Sequence, residues 1–371
     1  MNKIFEKGGK LYWLHSSVDA FETFLHVPGT VTKKGSHVRD AIDLKRLLIL
    51  VVIAAAPAAL FGMWNVGYQH GLAMGQTGVH ILEYFWFGFL KVLPLYIVSY
   101  AVGLAIEFAS SQIRGEEVSE GYLVSGFFIP LIVPVDIPLW MLAVAVAFAV
   151  IFGKEVFGGT GMNIWNPALL TRAFLFFSYP NYMSGSDCWI AFRKGETAVA
   201  DAFTGATPLA LDGPAQYGTG FWDLFIGTVP GSVGETSVVA ILLGAALLLW
   251  TGIASWKIMA GSIAGALLVG WIGNVAGITD IPFYMQLLYG GFAFGTIFMA
   301  TDPVTSCQTE CGKWIYGILI GMLCITVRLF NPGYAEGMML AILLMNTFAP
   351  LIDHCVTGTH ISRRLKKLNA A

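Results

Sequence analysis

The feature that most constrains the fold is a succession of ten apolar runs between residues 47 and 352. Most of them approach the length, roughly 17–25 residues, that a helix needs to cross the hydrocarbon core of a bilayer. Charged residues make up only 12% of the chain and hydrophobic residues 56%, so a soluble fold, a disordered chain and a disulfide scaffold are excluded. The runs are 47–66, 84–108, 121–135, 138–153, 163–178, 237–255, 257–275, 281–300, 314–330 and 335–352.

We therefore predict an all-α integral membrane protein with about ten transmembrane helices. Three prolines, Pro130, Pro134 and Pro138, interrupt the third and fourth runs, and a glycine-rich stretch precedes the fifth. Interrupted helices are tolerated in membranes where they line a cavity or a site. Ten spans also allow a five-plus-five internal repeat. Three G-x-x-x-G patterns, at 261–265, 291–295 and 317–321, predict close helix packing.

Basic residues concentrate at the two ends of the chain. Eight Lys and Arg lie in residues 1–46 and four in 363–367, whereas nine are spread between them. The positive-inside rule places such segments in the cytoplasm. Ten spans then put both termini on that side, with sixteen basic residues inside and two, Arg193 and Lys194, outside.

The same orientation divides the chain into three parts. Residues 1–46 form a cytoplasmic arm, 47–356 a transmembrane domain with a large outer loop at 179–236, and 357–371 a basic cytoplasmic tail. The first apolar run starts only after the arm, so we expect no secretory leader. A net charge of −2 offers no field for a polyanion, and we expect lipid but no nucleic acid as a partner.

The outer loop contains the sequence Asp201-Ala202-Phe203-Thr204-Gly205-Ala206-Thr207. Small residues around a hydroxyl leave that hydroxyl accessible to a large reagent. The same residue types also form turns. The residues alone leave both interpretations open.

A glycine-rich stretch, 158–161, comes before the fifth run. Glycine lets the backbone approach a ligand closely, and a helix start offers free N–H groups. Asn163 and Asn166 are three residues apart and would share one helical face. The alternative is an ordinary turn with a helix cap at Thr160 or Asn163.

Three acids, Glu107, Asp302 and Asp353, lie at or inside predicted span ends. A charge at membrane depth is costly, so each is a functional candidate, although each could also reach headgroup water. Arg172 lies within a span and could meet either a carboxylate or a ligand oxygen. The C-x-x-x-C pair Cys307/Cys311 has no second pair nearby, and we predict free thiols and no metal site.

The outer-loop sequence resembles the D-x-x-(S/T)-G-A-T motif of membrane flavoproteins, in which a flavin transferase attaches FMN to the last Thr through a phosphoester. The resemblance makes Thr207 the acceptor and places Asp201, Thr204, Gly205 and Ala206 in the motif, with Thr204 where Ser is often found.

Blocks along nearly the whole chain are similar to the B subunits of the sodium-translocating NADH:quinone reductases, and together they are highly specific. These blocks are Val27–Lys33, His37–Asp40, Ile42–Arg46, Gly62–Asn65, Lys154–Gly161, Asn163–Ala168, Arg172–Phe177, Ala300–Val304, Asn331–Pro332 and Glu336–Ala341.

The resemblance implies two further sites. A non-covalent riboflavin would bind at Asn163, Asn166, Gly159 and Gly161. Ubiquinone would bind near the arm and the second span at Gly103, where a pair of small residues is usual. Leu104 stands at the second position of that pair here.

The resemblance also implies a sodium route, an electron path and partners. Glu107, Asp302 and Asp353 would lie on the sodium route. Electrons would pass from FMN to riboflavin to ubiquinone in a bacterial inner membrane. Five other subunits, one of which oxidises NADH, would complete the complex, because this sequence contains no G-x-G-x-x-G nucleotide motif in a strand–turn–helix context.

Two alternatives remain open. The D subunit of the Rnf-type ferredoxin:NAD oxidoreductases looks similar across the spans and also carries covalent FMN, but it generally lacks an arm like 1–46. A non-redox solute transporter would also have ten spans and interrupted helices. The flavin acceptor loop argues against the transporter.

Overall fold

The computed structural model describes residues 32, 34–38, 44–76, 79–114, 121–183, 188–192, 205–210, 220–331 and 336–369. This part of the chain is helical and contains no strand. Nine helices of eleven or more residues form the bundle. They are α1 (Leu44–Ala73), α2 (Ile81–Arg114), α3 (Tyr122–Ile132), α4 (Leu139–Gly153), α5 (Pro167–Ser178), α6 (Val238–Trp250), α7 (Trp256–Val275), α8 (Glu310–Phe330) and α9 (Met338–Asn369).

Six of the described helices, α1, α2, α4, α7, α8 and α9, are long and apolar enough to cross a membrane, α4 together with the turn that follows it. The helices α3, α5 and α6 are apolar but shorter. The expected all-helical, multi-pass membrane protein is confirmed, whereas the count of ten spans and the five-plus-five repeat stay predictions.

The predicted run 281–300 is not one helix. It consists of a 3₁₀ turn at Met285–Leu287, a short α turn at Phe292–Phe294 and a π turn at Gly295–Met299. Gly290 has a φ of +57°, a left-handed conformation that breaks a helix at this point. Interrupted helices were expected, but proline and glycine indicated the breaks earlier in the chain and not in this run. The irregular backbone is buried against other helices, as membranes require.

Glycine allows α7 and α8 to pack backbone against backbone. A Cβ on Gly265 would overlap the carbonyl oxygen of Ile318, and one on Gly321 would overlap the carbonyl oxygen of Ser262. Two of the three G-x-x-x-G patterns thus face each other across this interface. Their role in ordinary close packing is confirmed.

The outward surface is apolar, as expected of a chain surrounded by lipid. Leu60, Trp86, Leu243, Trp271 and other large apolar side chains are exposed on the helices. Without lipid tails against them, exposed apolar patches of this extent would cause association in water.

The predicted domain ends are only partly described. Of the arm 1–46, the structure describes residues 32, 34–38 and 44–46. At the other end, α9 runs from the membrane domain through the predicted boundary at residue 357 without a break. The basic tail is therefore a helical extension of the last span.

Replacing Gly321 by Ala should destabilise the bundle by about 1–3 kcal/mol or more, because the added methyl group has to displace backbone of α7. Gly358→Ala on α9 is the matched control. Nothing lies within 4 Å of the position its Cβ would take, so it should stabilise by roughly 0.5–1 kcal/mol through helix propensity. Thermal unfolding of the purified chain in detergent distinguishes the two, and equal midpoints would contradict the packing assignment.

Candidate functional site

Asn163 and Asn166 lie in the turn that leads into α5. Asn166 is the N-cap, and its side-chain oxygen accepts the backbone N–H groups of Ala168 at 3.0 Å and Leu169 at 3.4 Å. The expectations of a shared helical face and of a cap at Thr160 or Asn163 were therefore wrong. Pro167 suits the first helical position, because the N–H that it lacks would be unpaired there anyway.

Asn166 also contacts Asp302. Its Nδ2 donates to Oδ2 of Asp302 at 3.2 Å, and the same carboxylate accepts Thr305 Oγ1 at 3.2 Å and the N–H of Val304 at 3.1 Å. Asp302 lies in the turn that follows the π turn, as the proline after it predicts. One of the riboflavin candidates is thus in direct contact with one of the sodium-route candidates.

A cavity opens beside this contact, between the start of α1, the helices α3 and α6 and the turn that contains Asp302. Its polar lining includes Lys154, Thr160, Asn163, Asn166, Thr301 and Asp302. Its apolar lining includes Leu47, Val51, Val124, Phe128, Leu248, Ile253 and Phe298. Apolar and aromatic walls with a few amide, hydroxyl and charged groups suit a flat heteroaromatic ring such as an isoalloxazine, so these residues fit the implied riboflavin.

The glycine-rich stretch forms a tight turn next to the cavity. Gly158, Gly159 and Gly161 have φ angles of 117°, 93° and 91°. Thr160 lines the cavity, whereas Gly159 and Gly161 are not among its lining residues. In this conformation the glycines are needed for the shape of the turn; a direct contact with riboflavin stays a prediction.

A buried ion pair borders the cavity through Lys154. Nζ of Lys154, at the end of α4, donates to Oε1 of Glu107 on α2, and both side chains are at most 4% exposed. The second carboxylate oxygen of Glu107 is buried without a hydrogen-bond partner in the described part of the chain. Lys154 was not among the predicted site residues, because its sequence position is also that of a lysine that reaches headgroup water.

Gly103 is buried behind the ring of Tyr122 and does not line the cavity. A Cβ at this position would overlap that ring, whose hydroxyl donates to the carbonyl of Ser99 at 2.9 Å. The ammonium of Lys154 lies 5.9 Å from the centre of the same ring. The small size of Gly103 therefore leaves room for the ring of Tyr122, which packs near Lys154. That quinone binds near Gly103 stays a prediction.

Asp353, on α9, holds the turn before α8. Its carboxylate accepts the N–H of Gln308 at 2.7 Å, the N–H of Thr309 at 3.0 Å and the hydroxyl of Thr309 at 2.5 Å. Cys307 is buried in this turn and Cys311 is exposed. Among the described residues no group of three His, Cys, Asp or Glu is arranged to hold a metal ion.

The acceptor motif is described only in part. Asp201 and Thr204 lie outside the described residues, whereas Gly205, Ala206 and Thr207 are inside them. Thr207 is half-buried, and its carbonyl accepts the N–H of Ala210 at 2.8 Å in a turn. A partly exposed threonine on a turn is accessible to a modifying enzyme, so this arrangement fits the implied phosphoester.

The acceptor segment is anchored through Leu209, two residues after Thr207. Leu209 packs against the buried side chains of Leu224, Ile281 and Tyr289. This contact fixes the segment 205–210 against the broken run 281–300.

Arg172 bridges two acids that the sequence did not single out. Its Nη1 donates to Oε1 of Glu235 at 2.5 Å, and its Nη2 donates to Oε2 of Glu336. Burial raises the pKa of Glu235, and the charge of Arg172 opposes that rise. Of the two partners considered for Arg172, a carboxylate or a ligand oxygen, the structure shows carboxylates. The two acids lie in loops that are far apart in the chain.

Burial raises the pKa of Asp302, and its three hydrogen bonds oppose that rise. A folded-state pKa above the unfolded value of about 3.9 means that the folded chain binds more protons, so stability falls as pH rises through this window. Asp302→Asn should remove the part of the fall that Asp302 causes, so its stability relative to the unmodified chain should increase with pH. The test is to measure the thermal unfolding midpoints of both proteins in detergent across about five pH units, from pH 4 to pH 9. A gain that does not change with pH would contradict it.

The family model described as the NQR2, RnfD, RnfE family matches residues 31–362. Among similar curated proteins, the B subunit of the Na(+)-translocating NADH-quinone reductase of Ectopseudomonas mendocina is 44% identical, covering 98% of this chain and 96% of that protein. The B subunits of the same enzyme from Stutzerimonas stutzeri and Chromohalobacter salexigens are each 43% identical over 98% of this chain, and over 96% and 94% of their own lengths. With most of its length matched at this level, the chain belongs to the NQR2, RnfD, RnfE family.

Proposed function

We propose that this chain is the B-type membrane subunit of a sodium-translocating NADH:quinone reductase and that it passes electrons from FMN on Thr207 to riboflavin and on to ubiquinone. One observation carries the proposal. Asn166 contacts Asp302, and both line one cavity with Asn163 and Lys154. Groups suited to a flavin and groups suited to a cation therefore meet at one place.

The residues around the cavity would hold riboflavin through hydrogen bonds and apolar contacts. The amides of Asn163 and Asn166 would offer hydrogen-bond donors and acceptors, and Phe128 and Phe298 would help to exclude water from the cavity. When bound, riboflavin supplies one-electron chemistry that no side chain of this chain provides. The protein contributes position, a dry environment and nearby charge.

The sodium route would use oxygen ligands, which a hard cation prefers. Asp302 offers a carboxylate at the cavity, and Glu107 offers a buried carboxylate oxygen without a hydrogen-bond partner among the described residues. Asp353 already accepts three hydrogen bonds from residues 308 and 309. The first two acids are accordingly the stronger candidates for ion contacts.

The same proposal names the partners. A subunit of this type belongs to a multi-subunit membrane complex. We expect five other subunits, and NADH would be oxidised on one of them. A flavin transferase would load Thr207 outside the inner membrane, with both termini of this chain in the cytoplasm. The distribution of basic residues supports that orientation.

The relatives favour the B-type subunit over the D subunit of an Rnf-type complex. Alignments that cover 98% of the chain extend into the charged arm 1–46, which was the feature expected to separate the two. A non-redox transporter would need neither the acceptor threonine nor an amide-lined cavity beside an acid.

Thr207→Ala should abolish covalent flavin. The experiment is co-expression with the flavin transferase, a denaturing gel read for flavin fluorescence, and the mass of the peptide that spans residues 195–215. Thr207→Ser is the matched control and should retain part of the signal, because it keeps the hydroxyl. A fluorescent band in the alanine variant would refute the attachment site.

Asp302→Ala should weaken the activation of quinone reduction by sodium in the assembled complex by about tenfold or more, because a carboxylate ligand is worth on the order of 1.4 kcal/mol or more. The measurement is the sodium concentration at half-maximal rate. Asp280→Ala changes an acid in another loop and should leave that concentration unchanged. Identical sodium dependence in all three proteins would remove Asp302 from the route.

A further inference from the structure

Lys154 belongs both to a buried ion pair and to the lining of the cavity. Its ammonium donates to Glu107, and the residue is also one of those that line the cavity with Asn163, Asn166 and Asp302. The pair is almost fully buried, with 4% of the lysine and 2% of the glutamate side chain exposed. A buried positive charge that binds a carboxylate therefore belongs to a residue at the border of the cavity.

Glu107 is incompletely satisfied. Its Oε1 accepts from Lys154, whereas its Oε2 is buried and has no hydrogen-bond partner in the part of the chain that the structure describes. A buried, unpaired carboxylate oxygen is costly. It is also the ligand type that a hard monovalent cation would take, so this oxygen points to a cation.

Glu155, the other acid close to Glu107, already has partners of its own. Glu155 lies 3.3 Å from Arg114 and accepts the hydroxyl of Ser110 at 2.6 Å. The ring of Tyr122 lies on a further side of the ammonium, 5.9 Å away. Among the described residues, Lys154 is thus the one lysine or arginine that both lines the cavity and binds Glu107.

We propose that Lys154 is a positioning residue that couples cation binding at Glu107 to negative charge in the cavity. Its ammonium sits on a flexible four-carbon stem and can bind strongly either to Glu107 or to a negative charge in the cavity, but not to both at once. A negative charge in the cavity attracts the ammonium and leaves Glu107 free to bind sodium. Sodium at Glu107 in turn releases the ammonium to the cavity.

The coupling must be reciprocal. If charge in the cavity strengthens sodium binding, sodium binding must stabilise that charge by the same free energy. With riboflavin in the cavity, as the proposed function has it, each electron taken up from an electrode adds one negative charge, and one sodium ion at Glu107 balances it. The midpoint potential of that flavin should therefore rise with sodium concentration.

The test is a spectroelectrochemical titration of riboflavin in the assembled complex at low and high sodium, with potassium keeping the ionic strength constant. The unmodified complex should show a sodium-dependent midpoint. Lys154→Gln should lower the midpoint and abolish its sodium dependence, and Lys154→Arg should restore part of it. Glu107→Gln should abolish the dependence but raise the midpoint, because the ammonium is then free for the cavity.

Lys257→Gln is the matched control. Lys257 also pairs with a glutamate, Glu310, but it does not line the cavity. Its removal should leave the midpoint and its sodium dependence unchanged. An unchanged sodium-dependent shift in Lys154→Gln would overturn the proposal, and so would a shift lost equally in Lys257→Gln.

Failure of the proposed function gives a different result. Riboflavin extracted by acid from each purified complex is measured first. If the unmodified complex yields none, the cofactor assignment fails before any titration. If Lys154→Gln retains riboflavin and its midpoint does not differ from that of the unmodified complex, the coupling fails while the cofactor assignment stands.

Discussion

A charge buried among membrane helices must find a partner, because no water is present to solvate it. In this chain Lys154 meets Glu107, and Arg172 meets Glu235 and Glu336. Each pair joins segments that are distant in sequence, so these contacts determine how the helices and turns are arranged. The cavity lies where one member of such a pair, Lys154, is also a lining residue.

Much of the fold could be predicted because the bilayer restricts it so strongly. Apolar runs predicted where helices lie, and the glycines of α7 and α8 predicted their close packing. The run 281–300 was not predictable in the same way. Its hydropathy resembles that of a span, but Gly290 takes a left-handed conformation that depends on the residues packed around it.

The candidate site was predictable as a set of residues but not as an arrangement. Asn163, Asn166 and Asp302 were each identified, two by resemblance to a flavin site and one to an ion route. That Asn166 donates to Asp302 depends on the approach of segments 136 positions apart. Lys154 was missed because a lysine at the end of an apolar run ordinarily reaches headgroup water, and only the buried carboxylate on α2 explains its position.

The length of α9 has a mechanical consequence. Its 32 residues extend about 48 Å, roughly 18 Å more than the thickness of the hydrocarbon core. The excess is a stiff rod that ends in basic side chains and shares its axis with Asp353, which holds the turn at 308–309. A neighbouring protein that tilted the far end of α9 would therefore move the turn at 308–309 through the helix, without contacting that turn.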